Sequence, residues 1–176
     1  MKRIKQTGLD QVGGKAYHLL KMQAAGLPVP DFAVFAFDFF QESASSADLE
    51  QMEVAYRSGE LELSQLSQQF QDWAKEQFAQ EDLTAAENWI HQEFSQTDCR
   101  FAVRSSATIE DGKASSFAGQ FESQLNVKPE GLKEAVQATL LSLYQESALS
   151  YLFEQGLSLK QAQMICLVQV MQEGEL

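Results

Sequence analysis

The residues best suited to chemistry lie in the stretch 101–127, FAVRSSATIEDGKASSFAGQFESQLNV. Arg104 ends an apolar, alternating run, and a loop rich in serine, threonine and glycine follows it. An arginine guanidinium can donate two parallel hydrogen bonds to phosphate oxygens, and the hydroxyls of Ser105 and Ser106 could donate as well. The alternative is an arginine that pairs with an acidic side chain of the same loop. The stretch favours polyphosphate binding. A serine nucleophile is not favoured, because no histidine lies nearby in the sequence to activate it.

A second candidate phosphate site is the tripeptide Gly13-Gly14-Lys15, which precedes a helical pattern. The free N–H groups and the dipole at a helix N-terminus attract anions, and a lysine there adds a mobile positive charge. The spacing G-x-x-x-x-G-K-[ST] of the P-loop is absent. A flexible helix cap with no ligand is the alternative interpretation.

The run 117–127 alternates as a strand does, and its apolar residues share a face with Gly119 and Ser123. Gly119 leaves a gap in a row of large side chains, and such a gap often marks the close approach of a ligand or another backbone. Four residues at strand rise place Ser123 roughly 13 Å from it, a span comparable to a nucleotide. The alternative is a β-bulge at Gly119, with the Ser123 hydroxyl bonded to backbone.

Gln169 interrupts the apolar strand predicted over 162–171. A buried amide must be hydrogen-bonded, and its partner is either protein backbone or the edge of a purine base. His18 and His91 lie on predicted helices and are interpreted as surface or core residues. The sequence therefore predicts no catalytic residue and no metal ligand.

The elements that must position these residues are those of an α+β fold. Gly13–Gly14 opens a helix that Gly26 ends. Three amphipathic helices are predicted between 41 and 97, marked by Leu49, Met52 and Tyr56, by Leu63, Leu66, Phe70 and Trp73, and by Leu83, Ala86, Ile90 and Phe94. Strands are predicted over 33–37, 99–104, 117–127 and 162–171, and further helices from Pro129 to Tyr144 and from Ala148 to Gln155.

The chain has 176 residues, 44% of them hydrophobic, and a net charge of −12. The segment 41–97 carries twelve acidic residues against Arg57 and Lys75, a net −10, and the rest of the chain carries only −2. Such a surface opposes nucleic-acid binding and directs any anion site outside 41–97. We expect a cytoplasmic protein, because the sequence shows no secretory signal and no membrane span, and its two cysteines are predicted to be unpaired.

Three segments together resemble the nucleotide-binding domain of the phosphoenolpyruvate synthase and pyruvate phosphate dikinase family. They are VGGKAYHLLKMQAAGLPVPDFAVF, the stretch 101–127, and LVQVM near the C-terminus. The resemblance implies that residues 1–176 are the N-terminal portion of an ATP-grasp-like domain, a sheet with flanking helices in which 41–97 is an acidic helical insert. It also implies ATP as ligand and, in the complete enzyme, phosphorylation of a mobile histidine on the way to an acceptor such as pyruvate.

The same resemblance assigns roles to individual residues. Lys15 and Arg104 match phosphate-binding cations, Gly119 and Ser123 match nucleotide-pocket positions, and Gln169 matches a residue beside the adenine-binding hinge. Magnesium ligands, a phosphohistidine domain and an acceptor domain are expected in downstream segments absent from this chain. We therefore expect the isolated chain to be inactive. The alternative is a non-catalytic interaction module or remnant with vestigial nucleotide motifs.

Overall fold

The computed structural model describes residues 2–3, 9–36, 46–80, 88, 99–106, 123–161 and 165–171. Within them, five strands form one sheet in the order β1-β2-β5-β3-β4, with every neighbouring pair antiparallel. The strands are β1 Lys2–Arg3, β2 Phe32–Ala36, β3 Phe101–Ser105, β4 Ser123–Val127 and β5 Ile165–Val170. The predicted α+β class is confirmed.

Five α-helices accompany the sheet in the described part of the chain: α1 Leu9–Ala24, α2 Ser46–Arg57, α3 Leu63–Ala79, α4 Leu132–Leu141 and α5 Glu146–Glu154. Short 3-10 turns at Pro129–Gly131 and Ser142–Tyr144 flank α4. Two of the three helices predicted in the acidic segment are confirmed as α2 and α3, because their apolar residues pack on the core. Apart from residue 88, the third lies outside the described residues.

The two faces of the sheet are covered by different helices. One face, here called the helical face, carries Phe35, Phe101, Val103 and Val168 and packs against α2, α3, α4 and α5 in the larger core. Alternate residues of the same strands form the opposite face, here called the α1 face. Its covered part packs against Val12 and Ala16 of α1 and consists of Val34, Ala36, Ile165 and Leu167. The predicted alternation of β3 is confirmed by this division.

The uninterrupted alternation predicted for 117–127 is wrong in its described part, because β4 contains a register shift. The cross-strand pairs are Phe101 with Val127, Val103 with Gln124, and Arg104 with Ser123. Three steps along β4 thus match two along β3, as in a β-bulge, and Asn126 has a φ of 57°. Ser123 consequently lies on the α1 face beside Arg104, and Val127 packs on the helical face. Residue 119 lies outside the described residues.

Both cysteines are free thiols; Cys166 is buried and Cys99 is half-buried. Burial raises the pKa of the Cys166 thiol well above its usual range, because the thiolate would lie in an apolar interior. None of the helices that the structure describes combines the length and apolar character needed to cross a membrane.

Candidate functional site

The site begins at a break near the start of α1. Gly13 has φ 65° and ψ 167°, inside an otherwise helical segment. This conformation is essentially restricted to glycine, since a Cβ atom would collide with the backbone. The regular helix therefore restarts at Gly14, and Lys15 is its second residue. The prediction that Gly13–Gly14 opens a helix is confirmed, with an additional turn of helix before it.

Lys15 connects the start of this helix to the end of β3. Its side chain is largely exposed, and its Nζ donates a hydrogen bond to the main-chain oxygen of Ser105 at 3.1 Å. The ammonium group is thereby held near the C-terminal end of β3, one residue beyond Arg104. Lys15 also lies in the first turn of the regular helix, where the helix dipole favours the binding of an anion.

Arg104 is exposed on the α1 face of the sheet. Its cross-strand neighbours are Ser123 on β4 and Leu167 on β5. Directly opposed residues have Cβ atoms about 5 Å apart, so the side chains of Arg104 and the exposed Ser123 project from the same face of the sheet as neighbours. No hydrogen bond or ion pair joins the Arg104 side chain to another residue that the structure describes. The acidic loop residues considered as its alternative partners, Glu110 and Asp111, lie outside that part of the chain.

Gln169 lies on the same face, one row away from Arg104. It pairs with Phe32 on β2 and with Ala102 on β3, and its side chain is half-buried. Because Ala102 precedes Arg104 by two residues, Gln169 is a diagonal neighbour of Arg104, at about 7–8 Å. Going along β3, the order on this face is Gln169, then Arg104 with Ser123, then Lys15 at the strand's end.

The two serines after Arg104 are not free to donate to a phosphate, and that interpretation is wrong. Both are fully buried. Strand alternation turns Ser105 to the helical face opposite Cys166, where its Oγ has no hydrogen-bond partner among the described residues. Ser106 Oγ instead donates to the main-chain oxygen of Val12 at 2.9 Å and accepts from the Ala16 N–H at 3.4 Å.

The structure thus places four of the five predicted binding residues, Lys15, Arg104, Ser123 and Gln169, on one side of the sheet; the fifth, Gly119, lies outside the described residues. Sequence reasoning missed the contact of Ser106 with α1. A signal for it existed, because a helix that begins at a glycine has no side-chain oxygen of its own to cap it.

Two other features lie apart from this face. A groove of about 370 Å³ separates α2 from the turn at 158–160, with Leu49, Val54 and Leu159 among its lining residues. None of the predicted binding residues lines it. Within the described part of the chain, no group of three or more histidine, cysteine, aspartate or glutamate side chains is arranged to hold a metal ion.

The fold and the site define an α+β domain with two cations, a hydroxyl and an amide on one sheet face, a donor set suited to a phosphorylated ligand. Comparison with known proteins narrows this class. Residues 9–176 match the family described as "Pyruvate phosphate dikinase, AMP/ATP-binding domain". The chain belongs to this family.

Curated relatives agree with that membership. The chain is 32% identical over 160 residues to phosphoenolpyruvate synthase of Escherichia coli, covering 84% of this chain and 20% of the relative. It is 29% identical to a probable phosphoenolpyruvate synthase of Methanothermobacter thermautotrophicus, covering 98% of this chain and 27% of the relative. It is 28% identical to rifampicin phosphotransferase of Streptomyces sviceus, covering 97% of this chain and 20% of the relative. The chain spans only a fifth to about a quarter of these proteins' length.

Proposed function

We propose that this chain is the N-terminal portion of the ATP-binding domain of a phosphotransferase related to phosphoenolpyruvate synthase. ATP would lie on the α1 face, with its phosphates near Arg104 and Lys15. The observation that carries this proposal is the placement of both cations at one end of that face, in a chain of the AMP/ATP-binding family. Arg104 is exposed and makes no ion pair to a described residue, so it is accessible to a ligand.

The order of residues along β3 suggests how the nucleotide is oriented. Gln169 lies level with Ala102, and Lys15 reaches the main-chain oxygen of Ser105. Three residues at strand rise separate these levels by roughly 10 Å. Adenine beside Gln169 would therefore direct its ribose and phosphates past Arg104 toward Lys15. In the proposal, Ser123 and Gly119 line the nucleotide between these ends.

The two cations would have complementary tasks in phosphoryl transfer. A guanidinium presents a planar pair of donors to phosphate oxygens, and an ammonium acts as a mobile point charge. Fixed positive charges stabilise the negative charge that redistributes over the phosphoryl oxygens in the transition state. Lys15 and Arg104 are thus proposed to bind and orient the phosphates, and no residue of this chain is proposed to react covalently.

Three finer elements of the proposal concern the complete enzyme. The domain would be ATP-grasp-like, with a second portion closing over ATP. Magnesium would be held by acidic residues of that portion, as the family resemblance implies. The phosphoryl group would pass to a mobile histidine and then to an acceptor such as pyruvate. We accordingly expect no turnover by residues 1–176 alone, and steady ATP hydrolysis or phosphotransfer by the purified chain would refute this expectation.

Isothermal titration with ATP and magnesium tests the binding proposal. Each hydrogen bond to a charged group contributes about 1.5–3 kcal/mol, so Arg104→Ala and Lys15→Ala should each weaken binding by about ten- to hundredfold. Lys21→Ala is the matched control, because it removes an equal charge from the last turn of the same helix. Its affinity should equal that of the unmodified chain. Affinities unchanged in Lys15→Ala and Arg104→Ala would instead favour the non-catalytic interaction module.

A further inference from the structure

The helix that carries Lys15 lacks a capping group of its own. Gly13 occupies the position before the first regular helical residue, where its positive φ requires a glycine. The residue at this position normally supplies a side-chain oxygen to an N–H of the first turn, and glycine has none. The first-turn donors of a partly buried helix therefore need an acceptor from elsewhere in the chain.

Ser106 supplies that acceptor from a point 90 residues away in the sequence. Its Oγ accepts from the N–H of Ala16, the third helical residue, and donates to the oxygen of Val12 on the other side of the break. The main chain of Ser106 is itself fixed, since its N–H donates to the Ile165 oxygen of β5 at 2.8 Å. A buried hydroxyl directly after the end of β3 thus contacts both sides of the Gly13 break.

This contact connects the two segments of the chain that carry the cations of the proposed ATP site. Lys15 lies between the two residues that Ser106 Oγ contacts, and Arg104 belongs to β3, the strand that ends directly before Ser106. We propose that Ser106 is a positioning residue for nucleotide phosphate: it fixes the start of α1 on the end of β3, and so sets the distance between Lys15 and Arg104. The inference rests on the proposed function, because it concerns the geometry of that same site.

A double-mutant cycle tests the inference, with the ATP dissociation constant as the readout. Ser106→Ala should raise the dissociation constant about tenfold, a change of about 1.4 kcal/mol. In a Lys15→Ala background the same substitution should change it by less than about twofold, because the cation that Ser106 positions is gone. A merely structural role would give equal fold-changes in the two backgrounds, and that result would overturn the inference.

The adjacent serine provides a matched control. Ser105 and Ser106 are equally buried, but Ser105 Oγ has no partner among the described residues. The bond from Lys15 goes to the main-chain oxygen of Ser105, which alanine retains. Ser105→Ala should therefore leave the ATP affinity unchanged. A loss as large as that of Ser106→Ala would show that any change at the end of β3 weakens binding, and would contradict the specific role of Ser106.

Two further measurements keep the test decisive. If Ser106→Ala does not fold, Ser106→Cys keeps the side-chain shape, with a slightly larger atom that is a poorer hydrogen-bonding group, and the same unequal fold-changes are expected from it. Amide hydrogen exchange at Ala16 should accelerate in the folded variant and not in Ser105→Ala.

An unmodified chain that does not bind ATP would refute the proposed function. A chain that binds ATP but gives equal fold-changes in the cycle would refute only the role of Ser106.

Discussion

Replacing Gly13 by alanine should destabilise the protein because of backbone conformation alone. The residue has φ 65° and ψ 167°, a combination that costs a residue with a Cβ atom on the order of 1–3 kcal/mol. In a chain of this length each kcal/mol lowers the melting temperature by about 2–4 °C. The variant should therefore melt roughly 2–12 °C below the unmodified protein.

Thermal unfolding followed by circular dichroism measures this effect, with Gly131→Ala as the matched control. Gly131 has φ −93° and ψ 6°, which alanine adopts, and an added Cβ atom would lie 3.9 Å from Val127 Cγ1, an ordinary contact. Removing a glycine at such a position reduces the entropy of the unfolded chain, and stabilises by about 0.4–1 kcal/mol. Equal melting temperatures for the two variants would refute the argument from the Gly13 conformation.

Three other substitutions or reactions test the remaining parts of the fold. Arg57→Ala removes a guanidinium 4.9 Å from the centroid of the Phe153 ring, and should lower the free energy of unfolding by about 1 kcal/mol in a urea titration. An unaltered urea midpoint would mean that this contact between α2 and α5 does not stabilise the fold. Phe70→Ala empties a fully buried position and should cost about 3–5 kcal/mol, measured in the same way. A loss below about 1 kcal/mol would contradict its place in the larger core. Cys99 should react with a thiol reagent in the native protein, and Cys166 only after unfolding, because burial raises its thiol pKa. Equally fast modification of both thiols would show that Cys166 is accessible.

The faces of β3 could be predicted from the sequence because strand alternation has a strict period of two. The stretch from Phe101 to Arg104 places its large apolar residues on one face and Arg104 on the other, whatever its neighbours are. The start of the Lys15 helix could be predicted as well, because glycines mark it locally. These features depend on residues close together in the chain.

The bulge in β4 and the role of Ser106 could not be predicted in this way. Val127 reaches the helical face only because β4 is out of regular register with β3, and that register depends on a strand some twenty residues earlier. Ser106 caps a helix 90 residues before it, a pairing that the order of the strands in the sheet creates. Both features arise from tertiary contacts, which local patterns do not encode.

The most direct test of the proposed site is an amide chemical-shift titration of the chain with ATP. We expect shifts on the α1 face, at Lys15, Arg104, Ser123 and Gln169. The amides of Leu49 and Leu159, which line the groove between α2 and the turn at 158–160, should remain unchanged. Shifts confined to that groove, with none at the α1 face, would contradict the account.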